Sequence, residues 1–379
     1  MKMLPTKQQW RRWSLPSKMT CISFVIAVLT VICYFSDKYI DNKQHKELMA
    51  EIKKNHSPDD SEVSEELKIK VKTAAEQLSN PKTADDWYLK GYAAQMDKNY
   101  DKAIEHYEKS NSIESHAETY NNIGNCYFDK KDYNTAIKYY LTAIACYAKA
   151  VELKLIESNN EQIPSYSTNI GVAYRKKQDY ENAIIFLHGA IALNPDYGRA
   201  YGNLGNVYAD KQNYDSAMIY YKKTIELNPN YAEPYNNIGC VYLNKGIYGQ
   251  EKFIDSVKMY FKNTKTKVYS VSGYLPFEKD YDSAIGYFEK AIELNPDYTD
   301  AYFNLGQVYL NQQNYDEAIE NYEKAIKLKS DKLIEIYHCM LKVYIETQNE
   351  DKAIKCTQAL ARLGNEEAKQ VLKDNNYDW

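Results

Sequence analysis

Gly171, Gly205 and Gly239 lie 34 residues apart, and the text around them repeats with them. Each sits in one setting: Ser167-x-x-Ile170-Gly171-x-x-Tyr174, Tyr201-x-x-Leu204-Gly205-x-x-Tyr208 and Tyr235-x-x-Ile238-Gly239-x-x-Tyr242. The phrase returns at Tyr120/Ile123/Gly124/Tyr127 and at Tyr302/Leu305/Gly306/Tyr309. Twelve residues after most of these glycines comes an alanine, and four further on a bulky residue: Ala136/Tyr140, Ala183/Leu187, Ala217/Tyr221 and Ala318/Tyr322. A period this short cannot bury a core within one unit. Neighbouring units must therefore stack and share their apolar faces.

A 34-residue period with an aromatic-x-x-Leu-Gly-x-x-Tyr first half and an Ala-x-x-x-aromatic second half resembles the tetratricopeptide repeat. Pro195, Pro229 and Pro296 stand where that family closes its repeat. The resemblance implies an all-α, right-handed α-solenoid of about seven helix-turn-helix repeats. They fall at 84–116, 117–163, 164–197, 198–231, 232–298, 299–333 and 334–363. The first helix of each carries the glycine and the second the alanine, so the two can pack closely. Between them runs a turn with Asn or Asp before an aromatic: Asn99, Asp132, Asp179, Asn213, Asp280 and Asn314. A capping side chain there satisfies orphan amides and suits the helix dipole. The last repeat has Leu341 where glycine is expected, and residues 364–379 read as a polar capping helix and tail.

Two interruptions break the period. Gly124 and Gly171 are 47 residues apart, and the excess predicts a second helix extended through about 145–163, ending near Asn159. Gly239 to Ala284 spans 45 residues where twelve are usual, an insertion at about 246–279. Its Lys252, Lys258, Lys262, Lys265 and Lys267 lie among Phe253, Tyr260, Phe261, Tyr269, Tyr274 and Phe277. That composition suits an extra helix with a solvated lysine face, a decayed repeat, or a partner contact.

Residues 1–18 form a basic tail, and Met19–Phe35 carries no charge. As a helix it reaches about 26 Å, and Trp10, Trp13, Tyr34, Phe35 and Tyr39 can occupy the interfaces. A transmembrane helix at 19–36 is expected in preference to a cleaved signal, since no small-x-small site follows. Lys2, Lys7, Arg11, Arg12 and Lys18 precede it without an acid, which places the N-terminus in the cytoplasm and the array outside, as in a bacterial envelope facing the periplasm. Residues 37–83 read as a polar connector whose helix at Ser61–Leu78 carries Leu67, Val71, Ala74, Ala75 and Leu78 on one stripe. That helix either caps the array or spaces it from the membrane.

Chemistry finds no support in the sequence. The net charge of −4 does not suit a general nucleic-acid binder. Seven cysteines at irregular spacing form no Cys-x-x-Cys; Cys339 and Cys356 can approach each other, but buried thiols are the plainer reading. The six histidines form no metal pair, and no phosphate loop or nucleophile elbow occurs. No enzyme, metal or cofactor is expected. The 38 tyrosines, against nine phenylalanines, belong to repeat packing.

In this family the first helices line a concave groove. The resemblance places there the residues two before each glycine, Asn122, Asn169, Asn203, Asn237 and Asn304, and those after it, Asn125, Val172, Asn206, Cys240 and Gln307. Asn side chains there can hold the backbone of an extended peptide, or bridge neighbouring repeats. A carboxylate clamp of the chaperone-binding type is not expected: Asn125, Asn169 and Arg199 match, but Asn121 and Asn203 replace two cations. The expected function is a membrane-anchored scaffold binding a protein or extended peptide. Alternatives are an import-type receptor with a cytosolic array, or a regulatory subunit of a membrane-bound enzyme.

Overall fold

A computed structural model describes residues 47–52, 64–153, 155, 162–244, 280–374 and 377. The apolar segment at 19–36, its basic tail and the insertion at 246–279 lie outside these residues. Among the described residues no helix is long and apolar enough to cross a membrane. The structured chain is an all-α solenoid of helical pairs in two compact units, residues 1–158 and 159–379.

In the first unit α1 (Glu65–Gln77) is followed by the pairs α2 (Ala84–Met96) with α3 (Tyr100–Ile113) and α4 (Ala117–Asp129) with α5 (Tyr133–Glu152). The connector caps the array: Leu67, Val71 and Ala75 of α1 are buried with Tyr88, Leu89 and Tyr107 of the first pair. A short helical stretch at 47–52, which the sequence reading leaves as connector, adds Met49 and Ile52 to the same cluster. The extension of α5 is smaller than the spacing suggests. It has 20 residues, against 14 in α3, and stops at Glu152 instead of near Asn159. Its buried stripe ends at Tyr147 while Leu153 and Leu155 are exposed. Without a packing partner, propensity alone does not carry a helix further.

The second unit contains α6 (Gln162–Lys176), α7 (Tyr180–Leu193), α8 (Gly198–Asp210), α9 (Tyr214–Leu227), α10 (232–244), α11 (Tyr281–Leu294), α12 (Thr299–Asn311), α13 (Tyr315–Lys327), α14 (Leu333–Glu346), α15 (Glu350–Arg362) and α16 (Glu366–Asp374). Pro164 falls in the first turn of α6, where its missing N–H has no partner to lose. The terminal α16 lays Ala368 and Leu372 over Leu360 and Ala361 of α15, shielding the last apolar face.

One seam repeats inside every regular pair. The glycine of the first helix faces a large residue sixteen positions later: Gly124 and Tyr140, Gly171 and Leu187, Gly205 and Tyr221, Gly306 and Tyr322. Gly91 and Tyr107 do the same, although Ala94 stands where other repeats carry tyrosine. A Cβ at Gly306 would lie 2.7 Å from the Tyr322 ring, so only glycine allows this approach. The interrupted repeat keeps the seam across its insertion: a Cβ at Gly239 would lie 2.7 Å from Phe288. Helix α11 is therefore the true partner of α10, although Gly239 and Phe288 stand 49 positions apart. The alanines at the crossing (Ala103, Ala136, Ala183, Ala217, Ala284 and Ala318) are fully buried.

The turn inside each uninterrupted pair is also constant. Its penultimate residue adopts a left-handed backbone, as at Lys131 (φ 64°), Gln178 (φ 61°), Gln212 (φ 59°) and Gln313 (φ 61°). At Gln212 the N–H bonds Ala209 O at 2.8 Å, and the next N–H, of Asn213, bonds Tyr208 O at 2.8 Å. These close the first helix in a Schellman motif. The Asn213 side chain then accepts from Ser216 N at 3.2 Å and opens the second helix. One residue thus ends one helix and starts the next. Asn99, Asp132, Asp179 and Asp280 cap their helices in the same way. Asn314 departs from expectation and makes no side-chain cap, and Asp316 and Glu317 answer the dipole of α13 instead. The asparagine–proline turns between repeats are hydrogen-bonded too, with Tyr197 N donating to Asn194 O at 3.1 Å and Tyr298 N to Asn295 O at 3.0 Å.

Candidate groove on the first helices of the repeats

The asparagines after the glycines are already in use. The hydroxyl of Tyr221 reaches from the seam to donate to Asn206 Oδ1 at 2.8 Å, and Tyr140 donates to Asn125 Oδ1 at 2.9 Å. Burial drives this pairing, because a phenol withdrawn from water needs an acceptor. Burial also pushes the Tyr221 hydroxyl well above its ordinary acid range. At the same position in the next repeats stand Cys240, whose thiol burial pushes up to about 12, and the half-buried Gln307. Gln307 makes no side-chain hydrogen bond among the described residues, and the Tyr322 hydroxyl lies beside the Cys339 thiol.

The asparagines two before the glycines reach back one repeat. Asn237 Nδ2 donates to Asn206 Oδ1 of the preceding pair at 2.9 Å. Asn304 Nδ2 donates to Asn236 Oδ1 at 2.9 Å and lies 3.3 Å from Cys240 Sγ. In the first unit Asn122 Nδ2 donates to Tyr88 Oη at 3.0 Å and Tyr107 Oη at 3.4 Å. Asn169 is buried in α6. The row is thus a ladder of amides joining consecutive pairs within each unit.

The ladder breaks at Asn203. The position it would reach in the preceding repeat is Val172, which offers no acceptor. Asn203 Nδ2 turns instead to its own helix and donates to Arg199 O at 3.0 Å. A small concave pocket opens beside the break, lined by Arg199, Gly202, Asn203 and Tyr221 and, from the next repeat, Glu233 and Asn237. Gly202 is one of the residues that line it. The same position carries Asn121, Thr168, Asn236 and Phe303 in the other aligned repeats. A Cβ at Gly202 would meet Thr224 at an ordinary 3.5 Å, so packing does not demand a glycine here.

Glu233 on the far wall is held by neutral donors: Asn206 and Asn237 Nδ2, both at 3.4 Å, and the Tyr231 hydroxyl. Burial raises the nearby Tyr298 phenol, and the charge of Glu233 adds to the effect. Arg175 pairs with Asp210 at 2.6 Å, joining α6 to α8. Of the residues expected in the groove, Asn203, Asn206 and Asn237 come together around this pocket, and Asn304 lies one repeat further along. Asn122 and Asn125 belong to the other unit. Gly202 and Glu233 are absent from the sequence expectation, although aligning the repeats position by position exposes Gly202 as the odd residue. Among the described residues no group of three or more His, Cys, Asp or Glu is placed to hold a metal.

Known proteins agree with this geometry. Tetratricopeptide repeat families match residues 87–116 and 164–197, residues 117–147, 198–231 and 299–332, and residues 220–252. A TPR repeat family matches 278–313 and a Sel1 repeat family 344–365. Among solved structures, the human IFIT1 dimer with m7Gppp-AAAA is 17% identical, with 82% of this chain and 68% of that chain covered and a TM-score of 0.55. A tetratricopeptide repeat protein from Parabacteroides merdae is 16% identical, covering 76% of this chain and 97% of that one, with a TM-score of 0.48. The APC/C hetero-tetramer Cut9–Hcn1 is 15% identical over 73% of this chain, with a TM-score of 0.49, and the match spans 46% of that chain. At 17% identity the likeness to the IFIT1 structure is one of fold alone. No curated protein matches the chain.

Proposed function

The chain belongs to the tetratricopeptide-repeat family, and from that premise we propose that it is a membrane-anchored scaffold whose first-helix groove holds an extended segment of a partner protein. The observation that carries the reading is the break in the amide ladder at Asn203, beside a pocket that Gly202 leaves open. In the next two repeats Asn237 and Asn304 bond amides of the preceding pair. Here an asparagine has turned back to its own helix, and its Oδ1 accepts no hydrogen bond among the described residues. An extended backbone supplies both donor and acceptor, which suits such a place. The anchor at 19–36 and the basic residues before it favour an N-terminus in the cytoplasm and an array on the other side. A polypeptide partner suits the net charge of −4 and the acids Glu233 and Asp300 at the starts of α10 and α12 better than a nucleic acid does.

Two measurements test this. Carbonate-washed membranes should retain the full-length chain, while deletion of residues 1–36 should release it; soluble full-length protein rejects the anchor. Asn203→Ala should leave the melt close to wild type and weaken co-purification of a bound polypeptide by about threefold to tenfold, the worth of one hydrogen bond. Undiminished co-purification rejects the groove at this position.

A further inference from the structure

The amide row ends at Gln307. It stands where Asn125 and Asn206 accept the hydroxyl of a seam tyrosine, yet its side chain makes no hydrogen bond among the described residues. The consequence lies beneath it: Tyr322 is fully buried, and its hydroxyl has no hydrogen-bond acceptor. The next repeat brings no amide either, because Cys339 occupies the position from which Asn237 and Asn304 reach back. Gln307 therefore keeps both a donor and an acceptor for the groove. The groove changes character at the same place. Four residues after the seam glycine stand Arg175 in α6 and Ala209 in α8, but Leu243 in α10, Leu310 in α12 and, aligned through Leu341, Ile345 in α14. Leu243 is buried and Leu310 half-buried, whereas Ile345 is 63% exposed.

Resting on the groove reading above, we propose that Gln307, Leu310 and Ile345 form a second anchor point, which takes a bulky aliphatic residue of the bound segment. Gln307 and Leu310 are three residues apart and share one face of α12, and Ile345 continues that face on the next first helix. The Gln307 carboxamide pairs with the backbone N–H and C=O of the bound residue, two groups that an extended strand leaves open along its edge. The aliphatic side chain of that residue lies over Leu310 and Ile345 and takes their apolar surface out of water. First helices of successive repeats pack about 10 Å apart, so α8 and α12 are about 20 Å apart, a span that about six extended residues cover. The aliphatic residue therefore lies about six positions from the one that meets Asn203.

The test uses full-length protein in detergent micelles and blocked peptides of about twelve residues, long enough to span both points. They are mixtures of Ser, Thr, Asn and Gln with a single Leu, its position varied, or with none. Wild type should retain the Leu peptides about tenfold better than the Leu-free ones. Ile345→Ser should remove that preference at an unchanged melt, since Ile345 is already exposed. Gln307→Asn, which copies Asn206, should move two readouts in opposite directions. Its melt rises because the Tyr322 hydroxyl gains an acceptor, and peptide retention falls about threefold to tenfold. A Leu preference unchanged in Ile345→Ser, or full retention by Gln307→Asn, overturns the anchor point. Retention that falls together with the melt in Gln307→Asn assigns Gln307 to folding and overturns it too. In either case the groove stands if Asn203→Ala still weakens retention. Wild type that retains no peptide overturns both.

Discussion

The seam between paired helices and the amide row facing the groove lie on the same first helices, yet they follow different rules. The seam is stereotyped. A glycine, an alanine and a large side chain, a ring in five pairs and Leu187 in the sixth, meet in one geometry, even where a long insertion separates the two helices. The row varies: its partners are a tyrosine hydroxyl at Asn122, an asparagine at Asn237, an asparagine and a thiol at Asn304, and a backbone carbonyl at Asn203. Interdigitation at the seam admits one solution, because a ring and a backbone occupy adjoining space. Amides can satisfy one another in several ways, so the row can change from repeat to repeat without loss of the fold.

That contrast breaks most visibly at the seam. Gly205→Leu would drive a side chain into the Tyr221 ring and should cost about 1–3 kcal/mol or more, read as a lower denaturation midpoint at unchanged slope. A midpoint equal to wild type would place the crossing elsewhere. Within the row the effect should be smaller but real where a seam tyrosine depends on it. Asn206→Ala leaves the Tyr221 hydroxyl without its acceptor and removes the acceptor of Asn237, at about 1–3 kcal/mol. Restoring much of that loss with Tyr221→Phe in the same chain would show that the unpaired phenol was its source. The turns lie outside both regions and should respond in the opposite direction. Gln212→Gly relieves a left-handed backbone and, after the extra chain entropy of glycine is subtracted, should stabilise by up to about 1 kcal/mol. A destabilised variant would show that the Gln212 side chain contributes more than its backbone strain costs.

The same contrast explains what the sequence could show. The seam was legible because its steric rule forces glycine, alanine and a bulky residue into fixed spacing, and the rule survives the insertion before Phe288. The turn was legible from its Asn or Asp, although Asn314 keeps the residue without the bond. The end of α5 was not legible, because the apolar text continues through Leu153 and Leu155 while the surface that would bury it does not. The groove was legible only as a row of asparagines. Which amide reaches across to a neighbour depends on the residue it meets, Val172 for Asn203 and Asn206 for Asn237, and that pairing requires the stacked geometry. Gly202 was visible in the text but silent, since a helical glycine signals close packing as readily as open space; the ordinary contacts around it decide between them.

The central claim is that Gly202 opens a binding pocket that the fold does not need. The most direct measurement compares Gly202→Asn with Gly189→Asn in full-length protein purified in detergent. Asparagine is the residue at the equivalent Asn121 and Asn236, and a Cβ at Gly189 meets nothing within 4 Å. Removing a glycine from a helix interior should leave both variants as stable as wild type or more so, by roughly 0.5 kcal/mol. Quantified co-purifying polypeptide should fall sharply for Gly202→Asn and stay at the wild-type level for Gly189→Asn. Equal retention by both variants, with matched melts, would contradict the account.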